Sequence, residues 1–127
     1  MALLLDTNAV VWWLMDSPRL SVGARAAIDA ELATGRVYVS AVSGLEMALD
    51  AARGTMPPAA DFIDAAEASG FRMLAFEAQD AVAVAALPRL HGDPFDRALA
   101  AQAQRRQLTL MTADRVLAQY PIAVYRL

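Results

Sequence analysis

The chain has 127 residues, of which 57% are hydrophobic, and a mean hydropathy of +0.34; this excludes an intrinsically disordered polyelectrolyte and allows a buried core without covalent staples. There is no cysteine and no lysine, all eleven basic residues being arginine, so disulfides, thiolate metal sites and lysine-dependent catalysis are excluded. The net charge of −3 argues against a partner held by a broad basic face.

In chain order, residues 2–5 read as a short buried strand, and Thr7–Met15 as a helix with a heavily apolar face, punctuated by Ser17-Pro18. Ser21 caps a helix to about Thr34, which Gly35 ends. Residues 37–39 form a strand, and either Ser40 or Ser43 caps a helix running to Arg53, stopped by Gly54. Pro57-Pro58 opens a helix to Ser69, stopped by Gly70, and residues 71–74 are strand-like. Residues 77–87 form an alanine- and valine-rich helix that Pro88 ends. A loop, His91-Gly92-Asp93-Pro94, leads into a helix over 95–106. A strand at 108–111, a short helix at 114–119 and a last strand at 122–125 complete the chain.

Short strands alternating with helices predict parallel pairing and a three-layer α/β fold, here one domain over residues 1–127. The apolar runs 9–15 and 81–87 fall short of the ~20 residues that span a bilayer, so no membrane partner is expected. The N-terminal apolar run lacks a basic segment and is cut by Asp6, unlike a secretory leader, which with the absent cysteines fits a cytoplasmic setting.

Four carboxylates stand at informative places. Asp6 closes the first strand, and Asp114 follows the strand at 108–111. Glu46 lies one or two helical turns after the strand at 37–39, and Asp96 lies in the first turn of the helix announced by Asp93-Pro94. Ligands of open α/β sheets bind beyond the carboxyl ends of the strands, so acids from distant segments can meet there. A carboxylate cluster requires neutralising cations, and hard divalent ions prefer oxygen ligands; the pattern points to Mg²⁺ or Mn²⁺. With those four acids neutralised, ten acids face eleven arginines, so a polyanionic substrate is allowed.

Each acid also has a purely structural reading. Asp6 can cap its helix. Ser43 and Glu46 fit a capping box, unless Ser40 is the cap and Glu46 lies deeper. Asp93 is the simplest cap before Pro94, and Asp96 suits the positive end of the helix dipole. Asp114 and Thr112 compete to cap the short helix at 114–119. His91, the only histidine, reads as a loop residue, and without a second histidine or cysteine a zinc site is not expected. Trp12 and Trp13 read as core or interface residues. None of these separate readings predicts that all four acids share one sheet edge.

The segments Leu4-Leu5-Asp6-Thr7-Asn8, Ser40–Ala48, His91-Gly92-Asp93-Pro94-Phe95-Asp96-Arg97 and Leu110-Met111-Thr112-Ala113-Asp114, in this order, resemble the PIN-domain family. The particular likeness is to the VapC-type toxin ribonucleases of bacterial type II toxin–antitoxin pairs. The resemblance implies a PIN-like α/β/α sandwich with a short central parallel sheet of four to five strands. It implies a catalytic and metal-binding quartet of Asp6, Glu46, Asp96 and Asp114, with Thr7, Asp93 and Thr112 supporting it from behind. One or two Mg²⁺ or Mn²⁺ ions would serve an endoribonuclease that cuts single-stranded loops and leaves 5′-phosphate and 3′-hydroxyl ends. It also implies a homodimer or hetero-oligomer with a VapB-like antitoxin, in a groove expected between Trp12, Trp13, Leu14 and the helices at 41–53 and 58–69. Gly44 departs from relatives that carry a larger residue, and is expected to loosen the helix presenting Glu46.

Other classes fit less well. Phosphoaspartyl receivers and haloacid-dehalogenase-like phosphatases also place an aspartate after the first strand, but they use a lysine. The phosphatases further want an acid where Asn8 stands. A catalytically silent PIN-like scaffold would be expected to lose one or more of the four acids. Arg97 and Arg115 adjoin acids in sequence and are open to phosphate binding, pairing or solvation.

Overall fold

Five strands, each of three or four residues, form one all-parallel sheet in a computed structural model that describes residues 1–127. The order of elements is β1 (Leu3–Leu5), α1 (Thr7–Leu14), α2 (Val22–Leu32), β2 (Val37–Ser40), α3 (Ala41–Ala52), α4 (Ala59–Ala68), β3 (Arg72–Leu74), α5 (Ala78–Ala86), α6 (Pro94–Arg106), β4 (Thr109–Thr112) and β5 (Val124–Arg126), with one 3₁₀ turn at Leu117–Gln119. The strands lie in the order β3-β2-β1-β4-β5. Leu4 of β1 is level with Tyr38 of β2 on one side and Leu110 of β4 on the other.

Alternate residues of these strands serve two cores, because side chains in a strand point to opposite faces. Leu3, Leu5, Val37, Val39 and Met111 pack with residues of α1 to α4, while Leu4 and Leu110 pack with residues of α6. The sheet is therefore covered on both faces, as a parallel sheet must be, and the three-layer α/β/α arrangement follows. No helix is long and apolar enough to cross a membrane.

The chain builds β1, β2 and β3 outward in one direction, then returns to place β4 on the other side of β1. This reversal opens a crevice beyond the carboxyl ends of β1 and β4, where ligands of such sheets bind. Asp6 follows β1 directly and Asp114 follows β4 by two residues. Because α6 leads into a parallel strand, its first turn lies at the same edge.

Ser40, not Ser43, caps α3: its hydroxyl accepts a hydrogen bond from Val42 N at 3.0 Å. Glu46 thus lies in the second turn and is free of capping duty. The Ser40 hydroxyl also lies 2.5 Å from Oε1 of the fully buried Gln102 on α6, tying α3 to the helix that carries Asp96. Ser40→Ala removes the cap and leaves the buried Gln102 amide oxygen without its partner. It is expected to lower unfolding free energy by about 2 kcal/mol in a urea titration; a loss under ~0.5 kcal/mol would contradict that account.

Gly44 does not interrupt α3, which is continuous from Ala41 to Ala52. A Cβ there would sit 3.3 Å from Ile63 Cδ1, so the glycine permits close approach of α3 and α4. The helix expected over 114–119 is reduced to the 3₁₀ turn, since Asp114 caps Val116 at 2.7 Å and Pro121 follows too soon for a longer helix.

Candidate active site

The cap that starts α1 also places the first acid. Asp6 Oδ1 accepts from Ala9 N at 2.8 Å, and the side chain is buried at the end of β1. Burial pushes its carboxyl above the ordinary value; the Thr112 hydroxyl and the Ala9 amide oppose the shift, and the charges of Glu46 and Asp114 reinforce it. The structural and the electrostatic readings of Asp6 are both realised.

Thr7, the next residue, reaches across to α3. Its hydroxyl donates to Glu46 Oε1 at 2.6 Å and also lies 2.9 Å from the hydroxyl of buried Ser43. Glu46 is thereby held toward β1 rather than released to solvent.

Asp93 caps α6, its Oδ1 accepting from Phe95 N at 2.8 Å and Asp96 N at 3.4 Å. Asp96 is left to face the other acids. Its carboxyl is pushed up to about 7, first by burial, then by the charge of Asp93, with smaller contributions from Asp114 and Glu46 and with His91 opposing. Asp114 behaves differently. Burial raises it, but the hydrogen bond from His91 and the Val116 amide outweigh burial and hold the carboxyl below its ordinary range. Thr112 is buried and accepts from Asp114 N at 3.0 Å.

The mutual charge effects place all four acids within one field: Asp6 with Glu46 and Asp114, and Asp96 with Asp114 and Glu46. Such a set has a surplus of negative charge and offers carboxylate oxygens, the donors that hard divalent ions prefer. Asp6, Glu46, Asp96 and Asp114 therefore fit Mg²⁺ or Mn²⁺ by the chemistry of the donors.

His91 also belongs to the site, although nothing in its sequence neighbourhood beyond its nearness to Asp93-Pro94 signals this. Its Nε2 lies 2.7 Å from Asp114 Oδ2 and 3.4 Å from Asp96 Oδ2, and the ligand atoms of the three residues lie within 4.8 Å of one another. A loop running to the first turn of α6 has to pass the carboxyl edge, and this was the available clue.

Arg97 is not a free phosphate-binding group. It donates to the carbonyls of Pro88 and Val84, both at 2.8 Å, and to the Tyr120 hydroxyl at 3.2 Å, so it anchors the loop after α5. Arg115 is exposed.

The expected apolar groove exists between α1, α3 and α4, but the tryptophans do not line it. Leu14 does, with Val11, Met47, Met56 and Phe62. Trp13 packs edge-on against Phe71 with ring centroids 4.9 Å apart, and its Nε1 donates to Asp29 at 3.0 Å. Arg25 lies over the same ring, 5.9 Å from its centroid. Trp13 is thus engaged with α2 and the core, and Trp12 packs against that core too. Successive residues of a helix point about 100° apart, so the face that turns Leu14 to the groove turns Trp13 away.

Fold and site together define a parallel α/β/α protein with a carboxylate centre at its topological switch point. A family model described as the PIN domain matches residues 3–123. The chain belongs to the PIN-domain family. No match was found among curated proteins. Among solved structures, the fold is shared with VapBC2 of Rickettsia felis, bound to a DNA fragment from their promoter, at a TM-score of 0.76 and 15% identity over 99% of this chain and 98% of that one. DNA-bound VapBC of Salmonella typhimurium matches at 0.70 and 19%, covering 99% and 98% of the two chains. FitAcB of Neisseria gonorrhoeae matches at 0.68 and 25%, covering 98% and 96%.

Proposed function

We propose that this chain is a metal-dependent endoribonuclease and the toxin of a toxin–antitoxin pair, acting in the cytoplasm with its 127 residues as one nuclease domain. The observation that carries this reading is the convergence of four carboxylates from four segments on the crevice beside β1 and β4. Membership of the PIN-domain family and the likeness to the VapBC and FitAcB structures support it.

Asp6, Glu46, Asp96 and Asp114 would hold one or two divalent ions, Mg²⁺ or Mn²⁺. Such an ion, when bound, supplies Lewis acidity and a water of lowered pKa. The chain's own residues supply position. Thr7 holds Glu46, the α1 amide of Ala9 holds Asp6, and the Val116 amide and His91 hold Asp114 in its ionised form. Water adds to phosphorus in line while the bond to the 3′ oxygen breaks, leaving a 5′-phosphate and a 3′-hydroxyl. No side chain forms a covalent intermediate. The substrate is RNA in single-stranded loops, where base edges are accessible that a duplex hides.

The antitoxin, VapB-like, lies in the apolar groove between α1, α3 and α4. A homodimer is part of the same reading, with exposed Leu45, Leu49 and Phe76 offering an apolar face. The reading is tested by inducing the chain without an antitoxin and mapping new 5′ ends in total RNA. Discrete new ends in unpaired loops are expected, and purified protein should lose the same cuts in chelator and regain them with Mn²⁺. Folded, soluble protein that makes no new ends would move the function to a silent scaffold.

A further inference from the structure

His91 is the only histidine of the chain, and it is held on every side. Its backbone N–H donates to the Tyr120 hydroxyl at 3.0 Å, and the same hydroxyl receives the Arg97 guanidinium. Its ring Nδ1 accepts a hydrogen bond from Asp93 N at 2.9 Å. Its Nε2 faces Asp114 and Asp96 at 2.7 and 3.4 Å. By proximity alone, these three side chains make a plausible nitrogen-and-oxygen metal site.

The far nitrogen decides against that. A backbone amide only donates, so Nδ1 must present its lone pair to Asp93 N. The neutral ring then carries its proton on Nε2. A histidine that ligates a metal shows the opposite arrangement: its distal nitrogen donates an N–H to an acceptor, and the lone pair of the other nitrogen faces the ion. Binding an ion through Nε2 would place two hydrogens against each other at Nδ1 and Asp93 N.

We infer that His91 is a positioning residue and not a metal ligand: its Nε2–H, aimed by the Asp93 amide, donates to Asp114 and toward Asp96. It thereby clips the acid that follows β4 to the acid that opens α6. The two carboxylates come from separate elements; His91 Nε2 hydrogen-bonds Asp114 and lies 3.4 Å from Asp96. Coordination would be left to oxygens, the donors that Mg²⁺ and Mn²⁺ prefer, without the imidazole that adds affinity for ions such as Zn²⁺ or Ni²⁺. The metal-related part of this inference rests on the proposed function; the ring geometry does not.

A single histidine makes the test direct. Protein with ¹⁵N-labelled histidine, at a pH where the ring is neutral, should show Nε2 protonated and Nδ1 bare, both without metal and with saturating Mg²⁺. A proton on Nδ1, or loss of the Nε2 proton on adding Mg²⁺, would overturn the inference. Mn²⁺ binding followed by electron paramagnetic resonance is the second arm. His91→Leu should weaken binding by about 10- to 100-fold, while His91→Gln, which keeps an N–H donor, should recover most of the loss. Wild-type affinity in the leucine variant, equal loss in both variants, or a ¹⁴N coupling from the ring to bound Mn²⁺ would each overturn it. If the leucine variant does not fold, the ring tautomer and the glutamine variant still decide. Wild-type protein that binds neither ion would overturn the metal-dependent reading itself, and the tautomer would still settle the role of His91.

Discussion

Asp96→Asn is expected to lose RNA cleavage by about a thousandfold, equivalent to roughly 4 kcal/mol of transition-state stabilisation, while gaining stability in the absence of metal. Asparagine preserves size and one oxygen acceptor but not the charge that holds a divalent ion. The stability gain follows from the same electrostatics. The Asp96 carboxyl titrates at about 7 in the folded protein against 3.8 ordinarily, through burial and the neighbouring acids. Between those values the folded state holds a proton that the unfolded state has released. Stability of the metal-free protein therefore falls as pH rises from about 4 to about 7. The side chain is 24% exposed, so solvent screens part of the cost, and about 2 kcal/mol is expected. Urea unfolding at pH 5 and pH 8 measures it. The wild type should be weaker at pH 8 and recover with Mg²⁺; the asparagine variant should show a shallower slope, the remainder coming from Asp6, whose carboxyl is also raised. Equal slopes in the two proteins would mean that Asp96 is not under this strain.

Asp80→Ala should do the reverse, destabilising the fold while leaving cleavage by folded molecules intact. Asp80 is completely buried at the start of α5. It accepts from Arg105 at 2.5 Å, from Arg106 at 2.6 Å and 3.1 Å, and from Glu77 N at 2.7 Å, and Glu77 also pairs with Arg106. The network fastens the first turn of α5 to the last turn of α6. Burial raises the Asp80 carboxyl, but Arg106, the Glu77 amide and Arg105 outweigh burial and lower it to about 2. Its contribution is thus complete above the ordinary carboxylate value and is lost as pH falls through about 2. Removing one side of a buried ion pair leaves its partners uncompensated. Since the arginines reach solvent in part, a loss of about 3 kcal/mol is expected, or roughly 10 °C in the thermal midpoint. Asp96 and Arg105 are nine positions apart, about 14 Å of helix, so the cleavage site should not feel the change. A melting point within ~2 °C of wild type would show that the network is not stabilising; a cleavage defect at low temperature in fully folded protein would couple it to the site.

The contrast between these two acids separates what neighbouring residues encode from what they do not. Strands and helices were legible because their signals are local: apolar runs, Ser21 and Asp93 as caps, and Gly35 and Gly70 at positive φ of 68° and 99° where helices end. The meeting of Asp6, Glu46, Asp96 and Asp114 was legible too, because parallel strands all end at one edge and the acids follow or face those ends. The strand order, with β1 central, was not readable from spacing.

By sequence either Ser40 or Ser43 can cap α3; in the fold Ser40 does, and its hydroxyl also meets Gln102, sixty-two residues away. Arg97 stands beside Asp96 in sequence, yet it serves a carbonyl of α5 and one of the loop that follows it. Trp13 was drawn to Phe71 and Asp29 rather than to the groove. By sequence Asp80 shows only as a partner to the Glu77 cap, and His91 reads as a loop residue. In each case a contact made by the folded chain, and not the residue's own sequence pattern, decides its role, and burial sets the energy of the contact. Local propensity determined which elements this protein forms and at which ends of them its acids stand; packing between distant segments decided which polar groups are spent on structure and which remain free for chemistry.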